Sequence, residues 1–147
     1  MNEIKIVKAT KKHKEFLIEA NLVIHNVSEQ TYASQFAQKL DADYFCENPK
    51  FFCLVAEFNK IPVGMILYSK MYWADDGEVL WVSQMYVKKE YRKYGVALKL
   101  YESLKTFNKQ ASVISCATGK NNKIMNQVLS GLGYKIIDMN FYAKKIK

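Results

Sequence analysis

The stretch that decides the fold is "QMYVKKEYRKYGVALKL", residues 84–100. It opens as the end of an apolar strand, passes through a basic segment, and continues beyond Gly95 with Val96 and Leu100 at helical spacing. This change of period predicts a strand–loop–helix unit whose helix begins near Tyr94 or Gly95. A helix N-terminus exposes unpaired N–H groups, and a glycine there lets an anion approach the backbone closely. The unit is therefore predicted to bind an anion.

Upstream of this unit, the pattern predicts one strand, two helices and an antiparallel meander. "EIKIVKAT" alternates apolar and polar residues, as a half-buried strand does. Residues 51–58, 63–73 and 78–87 are predicted to form three strands joined by the turns "NKIP" and "ADDG". The first helix is expected to bury an apolar stripe made of Phe16, Leu17, Ala20, Val23 and Ile24.

Downstream, "SVISCAT" is predicted as a short strand and "NNKIMNQVLSGLGY" as a helix that Gly131 or Gly133 ends. "YKIIDMNFYAKKI" is predicted to form two short strands around residues 139–140. The resulting order is β-α-α-β-β-β-α-β-α-β-β, with one β-α-β crossover. This order predicts an α/β (α+β) layered fold around one mixed, mostly antiparallel sheet, in a single domain over residues 1–147.

The composition is that of a folded soluble protein, because half of the 147 residues are hydrophobic and about a quarter are charged. No apolar run reaches the roughly 18–20 residues that span a bilayer, and the N-terminus lacks an apolar signal core. We therefore expect a cytoplasmic protein without a membrane partner. Three cysteines and two histidines show no spacing typical of disulfides or metal ligands, and His13 and His25 are expected on helix surfaces.

The charge of +8 is distributed unevenly along the chain. Residues 1–87 carry nine lysines and eleven acids, whereas residues 88–147 carry thirteen basic residues and three acids. A basic half of this kind favours an anionic partner. One candidate is a nucleic acid, but Arg92 is the only arginine of the chain, and arginine is the residue favoured for phosphate and base recognition. No helix-turn-helix or RNA-binding aromatic signature is evident either.

The predicted anion site resembles the acetyl-CoA-binding signature of the GNAT N-acetyltransferase family, Arg/Gln-x-x-Gly-x-Gly/Ala. The matching residues are Arg92, Lys93, Tyr94, Gly95, Val96 and Ala97. The context is similar too, since "QMYV" precedes the motif and a helix opening at Asn122 and ending in "LGY" follows it. The resemblance covers nearly the whole chain and implies the GNAT fold, with helices on both faces of the sheet.

The resemblance also implies acetyl-CoA as cosubstrate and no metal. In such proteins the strand before the motif splays from its neighbour, and its main chain pairs with the pantetheine arm. That role would fall here to Met85, Tyr86 and Val87. The pyrophosphate would lie on the backbone N–H groups of residues 92–97, and Asn122 would lie beside the pantetheine arm.

The implied reaction is direct attack by a neutral amine on the thioester. The chain is most similar to the spermidine/spermine branch, but Ser83 and Gln84 stand where that branch has acidic residues. Leu129 stands where relatives have a tyrosine acid. The catalytic candidates are therefore Gln84 and Tyr134, with Tyr142 or a bound water as alternatives for the acid. A cationic acceptor would be drawn to the acidic residues Asp41, Asp43, Glu47, Asp75, Asp76 and Glu78.

Three functions remain open at this point. The first is an acetyl-CoA-dependent N-acetyltransferase acting on an unidentified small molecule or peptide. The second is a degenerate family member that binds CoA with weak or no catalysis, and the third is a basic nucleic-acid-binding module. A homodimer is an open alternative for the oligomeric state.

Overall fold

The protein is described by a computed structural model that covers residues 3–147. Its internal contacts divide the chain into two compact units, the first ending at Ala117 and the second running from Thr118 to Lys147. Single 3-10 turns occur at Lys11–His13 and Lys89–Tyr91. The regular elements are β1 (Ile4–Lys8), α1 (Lys14–His25), α2 (Gln30–Asp43), β2 (Phe52–Phe58), β3 (Ile61–Trp73), β4 (Gly77–Val87), α3 (Val96–Phe107), β5 (Val113–Cys116) and α4 (Lys123–Gly131).

The first unit is built on a five-stranded sheet in the order β1-β2-β3-β4-β5. Neighbouring strands are antiparallel except β4 and β5, which are parallel and are connected through α3. The predicted meander and crossover are thereby confirmed. A parallel pair needs such a crossover, because its connection must return the chain to the same end of the sheet.

Helices cover both faces of this sheet. Successive side chains of a strand point to opposite faces. On β3, Met65 and Leu67 belong to the core cluster that includes Phe16 and Leu17 of α1. Gly64 instead faces the Val96 and Leu100 side chains of α3.

The apolar stripe of α1 differs from the prediction. Phe16, Leu17 and Ala20 are buried as expected, but Val23 is 53% exposed and Ile24 is 36% exposed. Asn21 is buried in their place, with 2% of its surface exposed. The buried face therefore runs through Phe16, Ala20 and Asn21, at positions i, i+4 and i+5, and its last member is polar.

The prediction that His13 lies on a helix surface is wrong. His13 is 2% exposed in the 3-10 turn before α1, and its Nδ1 accepts a hydrogen bond from the Thr10 N–H at 2.9 Å. The proton must then sit on Nε2, which donates to Glu57 Oε1 at 2.8 Å. Hydrogen bonds from Lys12 and then His13 hold the pKa of the buried Glu57 carboxyl below its ordinary value.

The two short strands predicted around residues 139–140 are not formed, since residues 132–147 contain no strand in the described chain. A strand forms only where its N–H and C=O groups find a ladder partner, and an alternating apolar pattern cannot supply that partner. Ile136, Phe141 and Tyr142 are left more than 70% exposed. Within residues 3–147, no helix has the length and apolar character needed to cross a membrane.

Candidate active site

The open edge of β4 is the first component of the site. The ladder between β4 and β5 runs from Val79 opposite Val113 to Val82 opposite Cys116, where β5 ends. β4 continues to Val87, so residues 84–87 pair with β3 on one side and with no strand of the described sheet on the other. The family resemblance implied that this strand splays from its neighbour. The ladder to β5 ends at Val82, which leaves backbone donors and acceptors on that side of β4 available to a ligand.

A β-bulge lies at the point where the two strands separate. Leu67 of β3 is opposite Gln84 and Tyr68 is opposite Val82, so Ser83 is the extra residue of β4. Ser83 is exposed, and its hydroxyl donates to the Leu67 carbonyl at 3.4 Å. A bulge reorients the residues that follow it, and here it sets the direction of Gln84.

The N-terminus of α3 is the second component. The helix begins at Val96, and Gly95 is its N-cap with a φ of 76°, a left-handed conformation that glycine adopts at little cost. No side chain caps this end and no acidic residue occupies its first turn. The first helical hydrogen bond runs from the Lys99 N–H to the Gly95 carbonyl at 3.0 Å, so the N–H groups of residues 96–98 have no partner within the helix.

The space in front of Gly95 is open. A Cβ atom built at Gly95 would meet no atom within 4 Å. Arg92, Lys93 and Tyr94 beside it are exposed, and Lys93 also has a positive φ, 69°. The positive end of the helix dipole and the basic loop together favour an anion in this space.

Arg92 also holds the loop in place. Its Nε donates to the Val87 carbonyl at 2.9 Å, so the guanidinium joins the motif to the end of β4. Arg92 was predicted to bind an anion and Val87 to pair with a ligand amide, but the contact between these two residues was not predicted. A carbonyl oxygen has two lone pairs, so Val87 retains one acceptor position.

Gly64 allows α3 to approach the sheet, a role that was not predicted from the sequence. A Cβ at this position would lie 2.9 Å from Val96 Cγ1, 3.1 Å from the Tyr86 carbonyl oxygen and 3.4 Å from Leu100 Cδ1. The available signal was a glycine inside the apolar strand run "VGMILY", because such a glycine often marks close backbone approach.

Gln84, a catalytic candidate, contacts the polar end of the buried face of α1. Its Oε1 accepts from Asn21 Nδ2 at 3.1 Å, and its Nε2 lies 3.3 Å from His25 Nε2. The His25 ring in turn lies 5.7 Å from the Tyr32 ring of α2. Sequence reasoning missed Asn21 and His25, although both lie on the Phe16–Leu17–Ala20 stripe one helical turn apart.

The remaining candidates have local structural roles. Met85 and Tyr86 lie in the open part of β4, where partial burial raises the pKa of the Tyr86 phenol. Asn122 is the N-cap of α4, and its Oδ1 accepts from the Met125 N–H at 3.2 Å, as the predicted helix start requires. Tyr134 follows α4, and its N–H donates to the Leu129 carbonyl at 3.0 Å.

Several acids proposed for a cationic acceptor are already paired. Asp41 bonds to Lys14 at 2.8 Å, and Asp43 bonds to Lys50 at 2.8 Å, which lowers the pKa of Asp43. Glu78 lies 3.8 Å from a lysine of β3. Among residues 3–147, no group of three or more His, Cys, Asp or Glu side chains could hold a metal ion.

Comparison with known proteins identifies the family. The sequence profile described as "Acetyltransferase (GNAT) family" matches residues 20–134. The chain is 37% identical over 86 residues to thialysine N-epsilon-acetyltransferase of Sus scrofa, an alignment that covers 53% of this chain and 49% of that protein. The chain thus spans about half the length of this curated relative.

Solved structures show the same fold. A possible acetyltransferase from Clostridium difficile 630 superposes with a TM-score of 0.82 at 18% identity, covering 98% of both chains. Aminoglycoside N-acetyltransferase AAC(6')-Iy, solved in complex with CoA, superposes with a TM-score of 0.80 at 15% identity, covering 100% of this chain and 97% of the other. The family profile matches residues 20–134, and the ladder between β4 and β5 ends next to the bulge of β4. The chain therefore belongs to the acetyltransferase (GNAT) family.

Proposed function

We propose that this chain is an acetyl-CoA-dependent N-acetyltransferase that acylates a primary amine of a small molecule or peptide. The observation that carries the proposal is the uncapped N-terminus of α3, open in front of Gly95. The same unit contains the open edge of β4, so a single elongated ligand with an anionic centre and amide groups suits both features.

The described residues fit the parts of CoA. The N–H groups at the start of α3 suit the pyrophosphate, because they combine free donors, the helix dipole and space for the ligand. Arg92 and Lys93 contribute positive charge beside them. The main chain of Met85, Tyr86 and Val87 is proposed to pair with the pantetheine amides.

Bound acetyl-CoA supplies an acetyl thioester, with which an amine forms a C–N bond while the C–S bond breaks and CoA leaves as a thiol. The chain's own contribution is mainly to hold two reactants in place. A main-chain N–H of Met85 or Val87, on the open edge of β4, is proposed to donate to the developing oxyanion. Gln84 is proposed to orient the acceptor.

Two finer expectations belong to the proposal. Cytoplasmic localisation is supported by cysteines without disulfide spacing. A homodimer is supported by the two open edges of the sheet, β1 and β5, each of which has a strand on one side only.

A matched pair of substitutions at Gly95 tests the cofactor site. Asparagine and aspartate have the same shape and both tolerate a positive φ, so Gly95→Asn and Gly95→Asp differ mainly in charge. We expect both variants to fold, and the Asp variant to bind CoA at least about 10-fold more weakly than the Asn variant, which corresponds to about 1.4 kcal/mol. Isothermal titration with CoA measures this difference. Equal affinities in both variants and the wild type would refute the anion site.

An acceptor screen then tests the activity. Purified protein with acetyl-CoA and a panel of primary amines should release free CoA thiol with at least one amine. Saturable CoA binding without thiol release for any acceptor would instead support a family member that binds CoA and lacks catalysis. The replacement of acidic residues by Ser83 and Gln84 is the observation that favours this second candidate.

A further inference from the structure

We propose that Gln84 and His25 form the binding site for the acceptor amine, that His25 takes the proton of the amine, and that Asn21 is a positioning residue for Gln84. This inference rests on the proposed function and assigns residues to its acceptor side. The three side chains come from α1 and β4 and meet at the bulge where β4 separates from β5.

Asn21 determines the orientation of Gln84. Asn21 is 2% exposed, and its Nδ2 donates to Gln84 Oε1 at 3.1 Å, whereas its own Oδ1 is buried without a hydrogen-bond partner. If both amides were reversed, the buried unpaired group would be an NH2 with two donors instead of one carbonyl. An unpaired buried polar group is costly, and the observed arrangement leaves fewer unpaired positions.

The orientation of Gln84 in turn determines which ring nitrogen of His25 is the acceptor. With Oε1 bonded to Asn21, Gln84 presents its Nε2 to His25, and an amide nitrogen can only donate. The Nε2 of His25 is therefore an acceptor with a lone pair, and the ring proton lies on Nδ1. In this tautomer the lone pair of Nε2 faces the space beside Gln84 and can accept a hydrogen bond from a ligand.

The position of His25 supports the same role. His25 is the last residue of α1, which ends because Asn26 adopts a left-handed conformation with a φ of 51°. The negative end of the helix dipole favours a positive charge at this position, as an imidazolium would carry. The described contacts of His25 are Gln84 of β4 and Tyr32 of α2, and no charged side chain bonds to it.

The 3.3 Å separation between Gln84 and His25 is beyond the usual length of a strong hydrogen bond, so a ligand can displace it. A primary ammonium placed there donates one N–H to the second lone pair of Gln84 Oε1 and another to His25 Nε2. The latter N–H bond then breaks: the proton moves to His25, and the amine keeps the electron pair. The imidazolium returns the proton to solvent.

The cluster selects a class of acceptor. No carboxylate bonds to Asn21, His25 or Gln84 in the described chain, and the Tyr32 ring adds an aromatic wall beside His25. A second ammonium group on the ligand would find no carboxylate hydrogen-bonded to these three side chains. The site therefore suits a primary amine attached to an uncharged, partly apolar body, and it disfavours a polyamine.

An NMR titration tests binding without turnover. The chain has two histidines, so in the histidine-labelled full chain with CoA present His25 is the probe, and the buried His13 is the internal reference. Benzylamine should shift the His25 ring signal saturably and leave the His13 signal in place. Asn21→Leu should weaken this response about 10-fold. Val23→Gln, which changes an exposed residue of the same helical turn, should leave it unchanged.

Turnover tests the proton transfer. We expect His25→Gln to lower kcat with benzylamine at pH 7 by about 100-fold, with a much smaller change in KM. The defect should shrink as pH rises, because more of the amine arrives already deprotonated, and a merely structural defect would not show this trend. The kcat of Val23→Gln with benzylamine should stay within about twofold of the wild-type value. This change is far smaller than the loss expected when a general base is removed.

The outcomes separate the two proposals. If CoA binds but benzylamine neither shifts the His25 signal nor releases thiol, the acceptor site is refuted and the cofactor site stands. A larger His25 response to 1,4-diaminobutane than to benzylamine would also refute the proposed ligand class. If CoA does not bind at all, the proposed function fails, and this inference fails with it.

Discussion

Replacing Gly64 with alanine should disturb the contact that brings α3 onto the sheet. The added Cβ would lie 2.9 Å from Val96 Cγ1 and 3.1 Å from the Tyr86 carbonyl oxygen. Optimal separations between carbon atoms are about 3.5–4.0 Å, so the Val96 contact is too close by roughly 0.6–1 Å. The Tyr86 atom belongs to the backbone and cannot rotate away, so relief requires α3 or β4 to move.

Overpacking of this kind costs about 1–3 kcal/mol, which lowers the Tm of a chain of this size by about 3–9 °C. Urea unfolding and thermal melts of Gly64→Ala measure the loss. Gly131→Ala is the matched control, because a Cβ there meets nothing within 4 Å and alanine is favoured in a helix by up to about 1 kcal/mol. Since α3 also presents the proposed pyrophosphate site, CoA affinity should fall in the Gly64 variant and not in the Gly131 variant.

A double-mutant cycle shows whether the stated contact is the cause. Val96→Ala removes the Cγ1 atom that the new Cβ would strike, so its cost should be smaller in the Gly64→Ala background than in the wild type. The expected coupling is about 0.5–2 kcal/mol, within the range seen for residues in contact. Strict additivity, or a Gly64→Ala variant as stable as the wild type, would refute the close-approach explanation.

Two further predictions concern buried titratable groups. Glu57→Gln should lower stability at pH 7 by about 1 kcal/mol, since Glu57 accepts from Lys12 and His13. Because its pKa is depressed from 4.5, this carboxylate stabilises the fold above that pH and loses its effect as pH falls through the lower folded-state value. The difference in urea stability between the wild type and Glu57→Gln should therefore vanish at low pH. A difference that stays constant with pH would contradict the depressed pKa of Glu57. Burial raises the pKa of the Cys53 thiol, so thiol reagents should modify the exposed Cys46 first and reach Cys53 only in denaturant. Cys46→Ser should remove the fast phase, and rapid native modification of Cys53 would refute its burial.

The strand–loop–helix unit was predictable because its signals are local. The helix face from Val96 to Leu104 follows from period 3.6, and the start of α3 at Gly95 follows from the glycine and the loop before it. The N-cap role of Asn122 was predictable on the same basis, since its side chain bonds to a backbone N–H only three residues along.

The polar contacts of the proposed acceptor site were not predictable, because their partners are distant in sequence. Gln84 meets Asn21 across 63 positions and His25 across 59. The apolar periodicity of α1 placed Val23 and Ile24 on the buried face, whereas the packing of α1 against β4 buried Asn21 instead. Helical periodicity locates the buried stripe of a helix to within about one residue. The element packed against the helix determines which residues at the border of that stripe are buried.

The sequence alone determined the order of the elements through α4, the meander, the crossover and the motif that places this chain among the acetyltransferases. Each of these depends on periodicity, turn residues or spacing within a short segment. Tertiary structure alone decided that β5 stops at Cys116 and leaves β4 open, and that residues 132–147 form no strand. It also decided that α3 packs closely against Gly64 and that His25 contacts Gln84. These depend on which groups meet across the sheet, because backbone pairing and side-chain burial are properties of the partner as well as of the segment.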